Sequence, residues 1–239
     1  FSAMVTDGDG ASSISVGFFD VDNTLPSVEI LSPLNGTAVS GIVNVTCTTW
    51  DTKLENASIV IHGDLVKNWT VSGLQTYAWN TTKLDDDSYT VKLIAQDKAG
   101  NIIEKAVVVI VDNTTPEVNI TDPEEGDELT GTITILFNAS DDHLSTVLLY
   151  IDNATFIVTG ETSYEWNTTS VGDGTHSIKL IAYDKAGNKA ETPPITVTVT
   201  NLQEIIEESY NAGREEGYRE GYEEGHKAGE EEGYASGIS

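Results

Sequence analysis

Basic residues are scarce in this chain. Only 12 Lys and Arg stand against 39 Asp and Glu in 239 residues, giving a formal net charge of −27. A nucleic-acid footprint needs a basic stripe, so that class of partner is excluded. Thiols are scarcer still. Cys47 is alone, so no internal disulfide can form and the bridge that ties the two sheets of antibody domains is missing. No apolar run approaches the roughly 18 residues needed to span a bilayer, and no basic-then-apolar leader stands at the start. His-Glu-x-x-His, Cys-x-x-Cys, Gly-x-Ser-x-Gly and phosphate-loop patterns are all absent from the sequence. Its four histidines, His62, His143, His176 and His226, are scattered. An enzyme is not expected, and neither is a cofactor.

What the chain does have is repetition. Asp97-Lys98-Ala99-Gly100-Asn101 returns unchanged at Asp184-Lys185-Ala186-Gly187-Asn188, and Trp79-Asn80-Thr81-Thr82 returns at Trp166-Asn167-Thr168-Thr169, both at an interval of 87 residues. That period is too long for a solenoid unit and suits a complete small β domain of about 100 residues. Each copy enters on a proline, Pro26 or Pro116, followed by an alternating run. Val43, Val45 and Cys47 share a face, as do Tyr89, Val91, Leu93 and Ala95; Ile133, Ile135 and Phe137, then His176, Ile178, Leu180 and Ala182, repeat the pattern. Period-two runs rich in Val, Ile and Thr, broken by Gly, Asn and Asp, predict antiparallel strands with one wet face. About seven strands per copy make a two-sheet sandwich. Cys47 falls where the second copy has Phe137, so it reads as core filling.

The predicted organisation is all-β with a helical tail: 25–114 and 115–201 as sandwiches, 1–24 as the last two strands of a further, incomplete copy, and 202–239 as an acidic helix. The first segment rests on the match, 90 residues apart, of Val21-Asp22-Asn23-Thr24 with Val111-Asp112-Asn113-Thr114. It places Phe1, Ala3 and Val5 on the inward positions of Val91, Leu93 and Ala95. A lone hairpin is marginally stable in water. Either its parent domain extends further upstream, or it is donated to a neighbouring subunit as added strands. The first is favoured, because both full copies already hold their own final strands.

Ten asparagines open an Asn-x-Ser/Thr triplet: Asn35, Asn44, Asn56, Asn68, Asn80, Asn113, Asn119, Asn138, Asn153 and Asn167. The excess points to covalent N-glycans on an extracellular protein, with several sites on outward strand positions or turns. Individual members such as Asn80 and Asn167 also suit plain turn capping. The acidic joints raise calcium as an alternative role, with Asp22 and Asp112 as candidate ligands. No EF-hand spacing accompanies them.

The Trp-Asn-Thr-Thr strand, the turns Asp86-Asp87-Ser88-Tyr89 and Asp173-Gly174-Thr175-His176, and the Asp-Lys-Ala-Gly-Asn hairpin together resemble the Ig-like repeats of archaeal and bacterial cell-surface proteins. The joint Asp112-Asn113-Thr114-Thr115-Pro116 is similar to that family's short linker. The resemblance covers residues 1–201 and implies surface display; an S-layer-like setting in an archaeon is the accompanying expectation. Asp87 departs from the pattern by standing where the turn glycine is expected, which implies a strained turn or a different turn type there.

After Asn201 the pattern changes. Glycine recurs at every fourth residue through Gly213, Gly217, Gly221, Gly225, Gly229 and Gly233, with Tyr218 and Tyr222 each following a glycine. Small residues at this spacing let helices approach closely, although the charge rules out a membrane span. The ladder resembles the glycine-repeat segment of the stator-like regulators of flagellar export ATPases, which implies helix pairing and nothing else. A disordered acidic tail is the alternative. The leading expectation is a structural, glycosylated cell-surface protein that self-associates into a layer, sheath or filament. The other is an adhesin or glycan-binding module, for which Trp50, Trp69 and Tyr183 are the candidate exposed aromatics.

Overall fold

The computed structural model describes residues 2–6, 8–9, 12–16 and 21–236, and the chain divides into two compact units between Thr114 and Thr115. The first opens with a hairpin, β1 (Ser2–Thr6) and β2 (Ser12–Val16). Its sandwich follows as β3 (Ser27–Ser32), β4 (Ala38–Val39), β5 (Ile42–Trp50), β6 (Leu54–Ile61), β7 (Asp64–Trp69), β8 (Gly73–Asn80), β9 (Asp87–Asp97) and β10 (Ile102–Val111). One sheet runs β3-β5-β8 and the other β4-β10-β9-β6-β7. All neighbours are antiparallel except the short β4, which lies parallel to β10. Between the sheets lie Val45, Cys47, Ile59, Leu93, Val109 and Trp79. Alternation delivers them there: every second residue of β5 and β9 faces in, so each strand is half core and half surface.

The second unit repeats the plan as β11 (Glu117–Asp122), β12 (Glu128–Leu129), β13 (Thr132–Ser140), β14 (Leu144–Ile151), β15 (Ala154–Ile157), β16 (Ser163–Asn167), β17 (Gly174–Asp184), β18 (Lys189–Glu191) and β19 (Ile195–Val199). Its sheets are β11-β13-β16 and β12-β19-β17-β14-β15, with β18 also on β17. The single strand β10 of the first copy is here split into β18 and β19. Pro193 and Pro194 supply the reason: they carry no N–H for the ladder. Thr192 bridges the gap, its N–H donating to the Leu180 carbonyl at 2.9 Å while its hydroxyl accepts from the Leu180 N–H at 3.0 Å. Helix α1 (Leu202–Ser236) follows, and no described helix is long and apolar enough to cross a membrane.

The two-residue strand in each copy, β4 or β12, raises the count above the expected seven. The pairing of β1 with β2, Thr6 opposite Ser12 and Ser2 opposite Val16, is that of β9 with β10 shifted by 90 residues, Gln96 opposite Ile102 and Lys92 opposite Ala106. Whether Phe1, Ala3 and Val5 face inward lies outside the described residues.

The repeated pentapeptide is a hairpin clamp. Asp97, buried, accepts the Ala99 and Asn101 N–H groups on Oδ1, both at 2.9 Å, and the Asn101 amide on Oδ2 at 2.7 Å. Gly100 takes φ +92, which a side chain disfavours. The Asn101 bond holds the Asp97 carboxyl below its ordinary value of 3.8; burial opposes this, and the backbone donors add to it. The second copy rebuilds the clamp, with Asn188 on both oxygens of Asp184 at 2.8 and 2.6 Å and Gly187 at φ +92. Asp87 is not in the left-handed region that Gly174 occupies at φ +131, so the first copy uses a different turn there, with the Ser88 N–H on the Asp87 carboxylate at 2.6 Å.

Candidate functional site

Eight of the ten triplet asparagines are exposed: Asn35, Asn44, Asn68, Asn80, Asn119, Asn138, Asn153 and Asn167. Strand parity explains several of them, since Asn44 and Asn138 occupy outward positions flanked by the buried Val45 and Phe137. Asn119 and Asn138 stand directly opposite each other across β11 and β13, where side chains begin only about 5 Å apart. Asn80 and Asn167 also cap turns, each accepting from the N–H and hydroxyl of the Thr two residues on.

Asn56 is half-buried, and Asn113 has a different task. The Asn113 amide nitrogen, which a glycan would occupy, donates inward to the carbonyls of Thr81 at 2.9 Å and Leu84 at 3.2 Å, while its oxygen accepts from the Ser40 hydroxyl at 3.0 Å. Its own N–H reaches Asp86 at 2.7 Å. Asn201, which opens no such triplet, does the same in the second copy: its amide donates to the Thr168 carbonyl at 2.8 Å, its oxygen accepts from the Gly131 N–H at 3.1 Å and the Thr168 hydroxyl at 3.0 Å, and its N–H donates to Asp173. The Asn113 side chain thus serves as a latch. It ties the end of the last strand to the loop after the Trp strand. Sequence reasoning missed this role, and the signal available was the matching position of Asn113 and Asn201, two residues beyond Val111 and Val199. Asn201→Ala should destabilise the second sandwich by about 1–3 kcal/mol, the effect of leaving buried donors and acceptors unpaired, readable by urea denaturation.

The calcium candidates Asp22 and Asp112 both perform turn duty. Asp22 accepts the Thr24 N–H at 3.1 Å, and Asp112 the Thr114 N–H at 3.2 Å. These are Asx turns that set the chain's direction before Pro26 and Pro116.

His176 proves more than a core residue. Its Nδ1 lies 2.6 Å from Asp152 and its Nε2 2.8 Å from the Gly172 carbonyl. Both partners are acceptors, and only the imidazolium has a proton for each. Burial pulls the His176 pKa down, but the Asp152 bond, the Gly172 carbonyl and the Asp152 charge outweigh it, so the pKa rises above 6.5. For Asp152 burial pushes the pKa up, and the Ser177 N–H and His176 bring it below 3.8. A raised histidine pKa contributes stability that is whole below 6.5 and is lost as pH climbs through the folded value. A lowered aspartate pKa contributes stability that is whole above 3.8 and is lost as pH falls through its folded value. The pair therefore supports the second sandwich best between about pH 4 and 6.5. The first copy fills the two positions with His62 and Tyr89, whose rings stand 5.2 Å apart. His176→Tyr should accordingly flatten the decline in urea-unfolding stability of the second sandwich between pH 6 and 8.

Of the three aromatics expected at the surface, Trp50 is 63% exposed. Trp69 is corrected to the core: it is buried, and its indole N–H donates to the Thr49 hydroxyl at 3.2 Å. It pairs with the buried Ala57 of β6, and a register shift between Ile59 and Val60 changes which residues of β7 face in. Tyr183 is half-buried. Cys47 is buried, which pushes its thiol pKa up to about 11 and keeps it inert.

On α1 every residue from Glu208 to Lys227 is exposed. A Cβ added at Gly213, Gly217, Gly221 or Gly225 would meet nothing within 4 Å. Tyr218 and Tyr222 are 74% and 73% exposed. Gly229 and Gly233 lie on the helix, and their surroundings are outside the described residues.

Two segments, 26–93 and 116–180, match the family model described as bacterial Ig domain, and together they make up more than half of the chain. The chain belongs to the bacterial Ig domain family. Both Ig domains begin at the proline that follows a linker Asx turn, and the latch asparagines stand beyond the matched segments. A second model, bacterial Ig-like domain (group 3), matches residues 73–146, a frame running from one Ig domain into the next. No match was found among curated proteins. Among solved structures, the fibronectin(III)-like modules of Clostridium thermocellum CbhA share 22% identity, with 73% of this chain and 94% of that one covered, at a TM-score of 0.50. At that identity the likeness speaks for the sandwich fold. A bacterial ice-binding adhesin shares 21% over 84% of this chain and 72% of that one, with a TM-score of 0.36. An endo-beta-1,4-mannanase from Thermotoga petrophila shares 16% over 44% of this chain, with a TM-score of 0.33, and the match spans 29% of the mannanase chain.

Proposed function

We propose that this is a non-catalytic, structural part of an extracellular cell-surface glycoprotein. Its tandem Ig domains act as spacers, its outward faces carry N-glycans, and α1 associates chains into a layer, sheath or filament. The observation that carries the reading is the exposure of eight triplet asparagines on strand faces and turns of the two Ig domains. Glycans there would shield sheet edges and faces from pairing with other sheets. The shared register of β1–β2 and β9–β10 supports treating residues 1–24 as the closing strand pair of another Ig domain. The tail's role in association is supported by glycines and tyrosines that this chain leaves uncovered.

Intact mass and peptide mapping of native material test the glycan claim. Several sugar chains are expected, with Asn44 and Asn138 modified and Asn113 bare. Because Asn119 opposes Asn138, one molecule should carry a glycan on one of the two. An unmodified polypeptide mass contradicts the reading.

A second reading, a surface module that binds a glycan, is favoured by one observation, the exposed Trp50.

A further inference from the structure

Trp50 ends β5 on the outer face of the β3-β5-β8 sheet, opposite Ser27 of β3. At the matching position 90 residues on, the second Ig domain has Ser140, and at that of Leu25 it has Thr115. The first domain alone therefore displays an indole here, beside a second exposed apolar side chain, Leu25 at 53%. Between them lies an open pocket of about 590 Å³, inside the range of about 300–1,000 Å³ typical of small-ligand sites.

Both walls of this pocket are fixed. On one side the Ser72 hydroxyl accepts the Asp51 N–H at 3.1 Å and donates to the Asp51 carbonyl at 2.7 Å, tying the β7–β8 loop to the end of β5. On the other the Asn101 amide donates to the carbonyls of Asp22 at 3.0 Å and Thr24 at 3.3 Å, holding the linker against the β9–β10 turn. The Asp51 carboxylate itself is oriented by the Lys53 N–H at 2.6 Å on Oδ1. A site built on such braced walls loses little freedom when a ligand settles in it.

We propose that this pocket binds a neutral pyranose chain, with the indole of Trp50 stacking on the apolar C–H face of one sugar ring and Asp51 accepting its hydroxyls. The inference rests on the second reading above and names its site and ligand class. Charge selects the ligand: Asp22 and Asp51 line the pocket, no Lys or Arg does so among the described residues, and the chain carries −27 overall. Uronic or sialic acids would meet like charge, whereas a neutral hexose or N-acetylhexosamine chain offers hydroxyl donors to the carboxylate. A purely apolar partner would take water from that carboxylate and offer no hydrogen bond in return, leaving it the Lys53 N–H.

The test uses the full chain, titrated by calorimetry and tryptophan fluorescence with neutral hexasaccharides of glucose, mannose and N-acetylglucosamine, and with hexagalacturonate. Binding to at least one neutral chain is expected, with none to hexagalacturonate. Trp50→Ala should weaken that binding by about tenfold or more, as loss of a central aromatic anchor does. Trp50→Phe should keep part of it. Since Trp50 is mostly exposed, Trp50→Ala should leave unfolding by urea unchanged, which separates a lost site from a lost fold. Neutral binding that survives Trp50→Ala overturns the site while sparing the second reading. Binding of hexagalacturonate alone overturns the neutral-ligand site while sparing the second reading. Binding of none of these chains overturns both.

Discussion

Trp166→Ala is expected to lower the stability of the second Ig domain by about 3–5 kcal/mol, the usual effect of emptying a large aromatic site in a core. Trp166 is 6% exposed and stands on β16 opposite Ile133, within the cluster that includes Ile135, Leu180 and Val197. Its ring also meets His176 edge-on, with centroids 5.7 Å apart. The cavity therefore opens next to the ion pair, and the surrounding strands cannot close over it without pulling His176 from Asp152 and Gly172. Natural domains are stable by only about 5–15 kcal/mol, so this single change removes a large share of the total. Hydrogen exchange should report lost protection in β13, β16 and β17. Trp79→Ala should do the same to β5, β8 and β9, because Trp79 holds the same position with Tyr89 edge-on at 5.8 Å.

The second large effect concerns α1. Changing Gly217, Gly221 and Gly225 to alanine removes about 0.8–1 kcal/mol of helix penalty at each site. The isolated tail should therefore become more helical by about 2.5–3 kcal/mol, seen by circular dichroism. The substitutions disturb nothing within this chain, since an added Cβ at each of the three meets open space. If the glycine ladder is where tails meet, the same change weakens association measured by sedimentation, because the new methyl groups hold the backbones apart. Like charges at Glu216, Glu220 and Glu224, four residues apart, oppose an unpaired helix by a few tenths of a kcal/mol per pair. Arg219, 3.8 Å from Glu216, offsets only part of this. Four residues advance a helix by about 400°, so the stripe drifts by about 40° per repeat, and pairing helices should wrap or meet over part of their length. Association that is untouched by the substitutions places the contact elsewhere.

Both of these effects sit on features visible in the sequence, and the reason is the same in each case. A core tryptophan in an alternating strand and a glycine at a fixed spacing declare themselves through local periodicity. So did Cys47 opposite its counterpart Phe137, and the Asp-Lys-Ala-Gly-Asn hairpin, whose aspartate, glycine and asparagine each have a turn role at short range. What escaped notice depends on long-range pairing or on a change of parity. The His176–Asp152 pair joins residues 24 apart across a sheet, and the first domain fills those positions with different chemistry. The Asn113 latch reaches back about 30 residues, and its Asn-Thr-Thr triplet offers a competing explanation. Trp69 lies opposite the buried Ala57 beyond a register shift in the β6–β7 pairing, which short-range pattern does not reveal. For the candidate sites, exposure of the triplet asparagines followed from strand parity. The walls around Trp50 come from Ser72 and Asn101, brought to the same end of the sandwich by topology alone.

The central claim is that these Ig domains belong to an assembled, glycosylated surface structure. Negative-stain electron microscopy of native material tests it most directly. Ordered sheets, sheaths or filaments with a regular repeat are the predicted result; dispersed single particles, with no periodic assembly at any native concentration, would contradict it.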